Sequence, residues 1–319
     1  MHYFAIVGGL VLLIWSADRF VTGASMAAHH LGVAPLIIGL IIVGFGTSAP
    51  EMLVSVTAAM DGAPELALGN AIGSDIVNIA LILGLAALIS PIAVQSKILR
   101  RELPLLIIAT ACLGWQLVDG RLSRAEGFVD LALFSAVIGW SLWLGIREKG
   151  DRLDLDISQE IEIRSMSLRW ACFWVVVGLA GLIVSSRLLV WGAVVLAKSM
   201  GISDLVVGLT IVAIGTSLPE MASTVVAARK GEHDLAVGNI IGSNLFNTLA
   251  VVGLAASIEP FSVAAGVLVR DFSVLFLLTV LLLVFGIGLN GKSGRINRLE
   301  GSAFLVIYAG YTAWLLLST

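Results

Sequence analysis

The sequence predicts an all-α polytopic membrane protein: ten transmembrane helices arranged as two five-helix repeats of inverted topology. Three observations carry that prediction. Of the 319 residues, 58% are hydrophobic and only 13% charged, whereas a soluble domain carries about 25% charged residues. Apolar runs of roughly 20 residues, the length a membrane crossing needs, recur along the chain. Two blocks of sequence return at a fixed offset of 169 residues.

With so few charges there is not enough polar surface to face water, which excludes a soluble enzyme, a nucleic-acid binder and a disordered scaffold. The net charge of -3 provides no basic patch for phosphates. Cys112 and Cys172 lie far apart in apolar runs and form neither a CxxC pair nor a zinc set.

The expected spans are residues 3–24, 33–60, 64–89, 102–118, 126–146, 169–197, 203–228, 233–257, 268–289 and 299–317. The first reads as a retained helix and not as a signal peptide. No Lys or Arg precedes its apolar stretch, and Asp18-Arg19 follows directly. With the N-terminus outside, the inner connections hold most of the Lys and Arg, and the outer ones hold only Arg121, Arg124, Lys198 and Arg270. The positive-inside rule therefore puts both termini on the periplasmic side of a bacterial inner membrane. Trp115, Trp140, Trp143, Trp170 and Trp314 fall near span ends, where an aromatic belt belongs.

A polar connection, residues 147–167, separates a first half (1–146) from a second (168–319) and reads as a cytoplasmic linker. Leu153, Leu155 and Ile157 alternate with polar residues there, a period that predicts a short hairpin. Its acidic residues Asp154, Asp156, Glu160 and Glu162 read as a solvated surface.

The halves repeat each other. Gly46-Thr47-Ser48-Ala49-Pro50-Glu51 returns as Gly215-Thr216-Ser217-Leu218-Pro219-Glu220, and Gly69-Asn70-Ala71-Ile72-Gly73-Ser74 as Gly238-Asn239-Ile240-Ile241-Gly242-Ser243. Five spans per half, an odd number, force the second copy to enter the membrane from the opposite side. Inverted repeats of this kind build secondary carriers, with the substrate site near the midplane between broken helices.

The repeated residues suit a cation. Pro50 and Pro219 lack an N–H and clash with the carbonyls four residues back, Gly46 and Gly215, so the second and seventh spans are expected to break there. Freed carbonyls inside a bilayer must line a cavity or bind something. Glu51 and Glu220 stand beside these breaks, where an ionised carboxylate costs about 3 kcal/mol even on lenient scales, and no basic partner is evident. Ser74 and Asn78, like Ser243 and Asn247, are four apart and share a helix face. The GxxxG pairs Gly69/Gly73 and Gly238/Gly242 favour close helix approach. Carboxylates, carbonyls, hydroxyls and amides, with no thiolate or imidazole, suit Ca²⁺ better than zinc or copper. Monovalent ions suit the flanking Ser and Asn groups. Asp75 breaks the symmetry, its mate being Asn244, and reads as a flanking residue that borders the pocket or faces a neighbouring helix. His2, His29, His30 and His233 read as interfacial bystanders, and Arg19 and Arg187 as snorkelling or edge-paired cations.

GTSAPE…GNAIGSDIVN and GTSLPE…GNIIGSNLFN closely resemble the two alpha-repeats of the cation/calcium antiporter superfamily, in its prokaryotic Na⁺/Ca²⁺ exchanger type (motifs 44–85 and 213–254). The resemblance implies a ten-helix fold that exchanges several Na⁺ for one Ca²⁺ by alternating access, without a cofactor or an obligate protein partner. It implies that Glu51 and Glu220, with the carbonyls of Thr47 and Thr216, bind Ca²⁺. Ser48, Ser74, Ser217 and Ser243, with the carbonyls of Gly44 and Ala213, match Na⁺-site positions, and Asn78 and Asn247 match the remaining ones. Some members carry Asp where Asn247 stands here. The rival readings are a Ca²⁺/H⁺ antiporter, K⁺ involvement on the same scaffold, and a cation channel.

Overall fold

An apolar surrounding leaves backbone N–H and C=O groups only one another as partners, so the chain satisfies them within helices. The computed structural model describes residues 2–32, 35–94, 99–147, 166–200, 213–264, 266–287 and 294–318. In chain order these form α1 (His2–Leu31), α2 (35–60), α3 (Pro64–Ile89), α4 (Leu99–Gln116), α5 (Arg124–Arg147), α6 (Leu168–Ser199), α7 (213–229), α8 (His233–Ile258), α9 (267–287) and α10 (Arg298–Ser318). Eight of them are individually long and apolar enough to cross a membrane. Helix α2 qualifies only as a bent pair, 39–48 and 51–60. The chain is therefore a mostly helical, multi-pass membrane protein. The beginning of the expected seventh span (203–212) and residues 148–165 of the linker, with the expected hairpin, lie outside the described residues.

Burial sorts the helices. In α8 89% of the central window is buried and in α3 72%, against 11% in α10. Helices α3 and α8 are thus the interior. The belt tryptophans Trp115, Trp140, Trp143, Trp170 and Trp314 are exposed on the outside, as expected of side chains that face lipid headgroups.

Helices α1 and α6 pack along each other in opposite directions. Gly9 of α1 sits against Leu189, Gly181 of α6 against Ser16, Gly178 of α6 against Phe20, and Gly23 against Ala171 and Val175. As the α1 number rises its partner's falls. A Cβ at Gly178 would come within 2.7 Å of the Phe20 backbone, so glycine there is what lets the backbones approach. Two short ribbons tie the connections. β1 (Ile92–Val94) pairs antiparallel with β4 (Gly294–Ile296), and β2 (Arg121–Leu122) with β3 (Phe261–Ser262).

Among the described residues four helices contain π-type turns: Gly39–Val43 in α2, Val77–Leu83 in α3, Phe246–Val251 in α8 and Val267–Phe272 in α9. Those in α3 and α8 begin one repeat offset apart and contain Asn78 and Asn247. Ser74 and Asn78, and likewise Ser243 and Asn247, each straddle the start of a wide turn. Such turns are rare and cluster at functional sites.

The proline expectation is corrected in form. Helix α2 bends by 50° between 39–48 and 51–60, yet stays helical through Pro50. Helix α7 does break, at Ser217, between Ala213–Thr216 and Leu218–Arg229. The carbonyl that Pro219 frees, on Gly215, accepts a hydrogen bond from Ser186 Oγ of α6 at 2.7 Å. A neighbouring helix thus answers the vacancy that the missing N–H creates.

Candidate ion-binding site

Glycines bring α2 and α8 into backbone contact. A Cβ on Gly242 would run into the carbonyl oxygen of Leu40, and one on Gly39 would lie 2.7 Å from the Leu235 carbonyl. A Cβ on Gly44 would lie 3.0 Å from the Gly242–Ser243 peptide. The expected close approach thus holds at Gly242; at Gly69 and Gly73 a Cβ would meet no described atom within 4 Å. This contact sets the Thr47 hydroxyl 3.5 Å from Ser243 Oγ and 3.3 Å from Asn239 Oδ1, with its own Val43 carbonyl at 3.0 Å. Asn239 in turn donates to Thr224 Oγ1 (2.8 Å) and Ser223 Oγ (3.0 Å) on α7. One buried amide therefore braces both glutamate-bearing helices. The sequence reading passed over Asn239, although an Asn stands at this place in both GN-x-IGS blocks.

Glu51 of α2 and Glu220 of α7 are each 2% exposed. The two carboxyls lie within electrostatic range of each other, and Thr47 lies within hydrogen-bonding reach of Glu220. Neither Glu51 oxygen has a protein partner, nor does Glu220 Oε2. The same is true of Ser48 Oγ and Ser217 Oγ, and of Asn78 Oδ1 and Asn247 Oδ1. Seven unanswered buried oxygens thus fall on six residues that form three pairs at the repeat offset. A buried acceptor left without a partner costs about 1–3 kcal/mol, so a set of them paired at the repeat offset calls for partners that the protein itself does not supply. Ser74 and Ser243 are likewise buried. Gly44 is buried, Thr216 half-buried, and Ala213 opens the first segment of α7. Among the described residues no three or more His, Cys, Asp or Glu side chains gather to hold a metal, so neutral oxygens must complete any shell around the two glutamates.

Asp75 belongs to the same polar interior. It is 1% exposed, and accepts from Asn247 Nδ2 at 3.1 Å and Thr248 Oγ1 at 2.8 Å. Elsewhere, the Arg19 guanidinium lies 4.8 Å from the Trp174 ring centroid, a cation–π contact, with Nε buried and unpartnered. Arg187 is exposed. Glu102 and Asp130, which sequence reasoning did not single out, are buried carboxylates on α4 and α5, bonded to Ser141 (2.9 Å) and Gln116 (2.8 Å). At the end of α7, Lys230 Nζ reaches Asp18 Oδ1 on α1 at 2.7 Å and Thr22 Oγ1 at 2.7 Å.

A polytopic helical fold with twin buried carboxylates among unpartnered oxygens describes an ion carrier of the membrane interior. The chain belongs to the sodium/calcium exchanger family: the model described as "Sodium/calcium exchanger protein" matches residues 1–143 and 170–317. It is a secondary transporter and not an enzyme. The chain is 49% identical to "Putative antiporter CaxA" of Alkalimonas amylolytica over 304 residues, 95% of each chain. It is 29% identical to "Sodium/calcium exchanger MaX1" of Methanosarcina acetivorans, covering 98% of this chain and 97% of the other. Among solved structures it resembles the sodium-calcium exchanger NCX_Mj with a TM-score of 0.85 and 32% identity, over 98% of both chains.

Proposed function

We propose that this protein exchanges Ca²⁺ for Na⁺ by alternating access at a midplane site that both halves build. The observation that carries the reading is the set of seven unpartnered buried oxygens on Ser48, Glu51, Asn78, Ser217, Glu220 and Asn247. Ca²⁺ takes six to eight oxygens, and two carboxylates cancel its charge. The carbonyls of Thr47 and Thr216 supply further Ca²⁺ ligands. Ser74, Ser243 and the carbonyls of Gly44 and Ala213 complete flanking Na⁺ niches. Either cargo neutralises the glutamates, so an unloaded site moves poorly.

Ten transmembrane helices in two inverted repeats, 1–146 and 168–319 around the linker 147–167, fit the paired π-turns, the paired oxygens and the antiparallel α1–α6 contact. Both termini then lie outside. The repeat operator also bears on the two access states. In this conformation Lys230 and Asp18 form an ion pair. Their mates at the 169-residue offset are Asp61 and Arg187, both exposed and not paired with each other. If the halves exchange conformations when access alternates, the made pair opens and its mirror closes.

The test is uptake of labelled Ca²⁺ by inside-out vesicles with a protonophore present. Uptake that needs internal Na⁺ and survives the protonophore supports Na⁺ coupling, whereas dependence on a proton gradient favours the Ca²⁺/H⁺ alternative. Flux without a counter-ion favours a channel. Glu51→Gln and Glu220→Gln should each abolish Ca²⁺ transport while the protein remains folded in the membrane. Wild-type uptake by either variant rejects the ligand roles.

A further inference from the structure

Asp75 is a fully buried carboxylate that coordinates nothing in the ligand set just proposed. Its role emerges from comparing the two halves. Asn78 and Asn244 lie on α3 and α8, and their side-chain amides meet at 3.0 Å. Their repeat mates are Asn247 and Asp75, which meet at 3.1 Å. The fold makes one contact twice, with an amide as the second partner on one side and a carboxylate on the other.

The difference in chemistry matters. An amide carries a donor end and an acceptor end, so Asn244 can answer either end of Asn78. Turned over, its nitrogen also reaches Asp75 Oδ1 at 3.3 Å and the Ile240 carbonyl at 3.2 Å. A carboxylate offers only acceptors. Asn247 must therefore turn its nitrogen to Asp75 and its oxygen away, and that oxygen is one of the buried atoms without a partner. Asp75 itself is held at its other oxygen by Thr248 Oγ1, 2.8 Å away. The repeat mate of Thr248 is Ile79, which has no hydroxyl. The carboxylate and its support thus occur on one side only.

We infer that Asp75 is a positioning residue: it locks the Asn247 amide with its oxygen toward the ion site and makes Asn247 an obligatory oxygen ligand. Without that lock the amide turns over and presents N–H donors, which repel a cation. The inference rests on the site reading above, since it needs Asn247 to face cargo.

The test is equilibrium binding of labelled Ca²⁺ to the purified full-length protein. Asp75→Ala should weaken binding about 10–100-fold, the usual consequence of removing a group that orients a metal ligand, and adding Asn247→Ala should cost little more. Asn247→Asp sets two carboxylates against each other and should also weaken binding. Combining it with Asp75→Asn restores one donor facing one acceptor and should recover most of the lost affinity. A merely structural Asp75 gives the opposite pattern. Asp75→Ala then lowers the yield of folded protein but leaves the affinity of the remainder unchanged, and the exchanged pair binds no better than Asn247→Asp alone. Either result overturns the inference. Retained Ca²⁺ binding in Glu51→Gln and Glu220→Gln overturns the site itself, so the two failures are distinguishable.

Discussion

Gly242→Ala tests whether the ion site depends on backbone contact between α2 and α8. The added Cβ would collide with the carbonyl oxygen of Leu40, with Leu40 Cα and C at 2.8 and 2.9 Å. All three are main-chain atoms within a helix, and no side-chain rotation relieves them. The helices must separate by roughly 1 Å to restore ordinary contact, and forcing extra volume into a packed interior costs about 1–3 kcal/mol. At roughly 2–4 °C per kcal/mol for sizeable domains, the unfolding midpoint should fall by about 2–12 °C. The same separation carries Ser243 away from Thr47, already 3.5 Å distant. It also draws Asn247 of α8 away from Glu51 of α2, and a loss of about tenfold in Ca²⁺ affinity corresponds to only about 1.4 kcal/mol, which displacement of one ligand group supplies. The assay is thermal unfolding of the detergent-purified protein with and without Ca²⁺. Gly139→Ala serves as the control, because nothing lies within 4 Å of its added Cβ and alanine is favoured over glycine within a helix by about 0.5–1 kcal/mol. If Gly242→Ala melts and binds Ca²⁺ as the wild type does, the close contact is incidental to the site.

Two further predictions follow from contacts between helices. Cysteines replacing Asp61 and Arg187, which are not paired with each other here, should cross-link under oxidant while the protein turns over and arrest transport until reduced; absence of a cross-link during turnover counts against the exchanged ion pair. Ser186→Ala removes the donor to the Gly215 carbonyl and should cost about 1–3 kcal/mol of stability. Ser185→Ala breaks only bonds to carbonyls of its own helix and should cost less; equal shifts in unfolding midpoint for the two would show that the Gly215 carbonyl needs no partner.

Much of this architecture is legible in the sequence, for a physical reason. A bilayer demands long apolar runs, so spans such as 64–89 and 233–257 can be counted directly, and the structure places helices Pro64–Ile89 and His233–Ile258 there. A carboxylate in such a run has no cheap resting place, so Glu51 and Glu220 stand out in the sequence. What stayed hidden depends on partners distant in sequence. The bracing by Asn239 requires that α8 lie against both α2 and α7. The two bonds onto Asp75 cross from α8 to α3, and Arg19 finds Trp174 more than 150 positions away. The π-turns leave no local signature either, because one extra residue per turn alters hydrogen bonding without altering composition. Pro219 announced a vacancy at Gly215, but not that Ser186 would fill it.

A π-turn accommodates one residue more than the α-turn it replaces, and each residue turns a helix by about 100°. Upstream of its wide turn α3 offers Asp75 to α8; downstream, a Cβ on Gly84 would lie 3.0 Å from the Gly301 carbonyl of α10. In α8 a Cβ on the corresponding Gly253 would lie 3.0 Å from the Gly127 carbonyl of α5. Both copies thus aim their polar groups one way and their small residue another, through an inserted residue at the same point. The same inserted residue therefore couples the polar chamber at one end of each helix to a seam with the last helix of the other half at its far end.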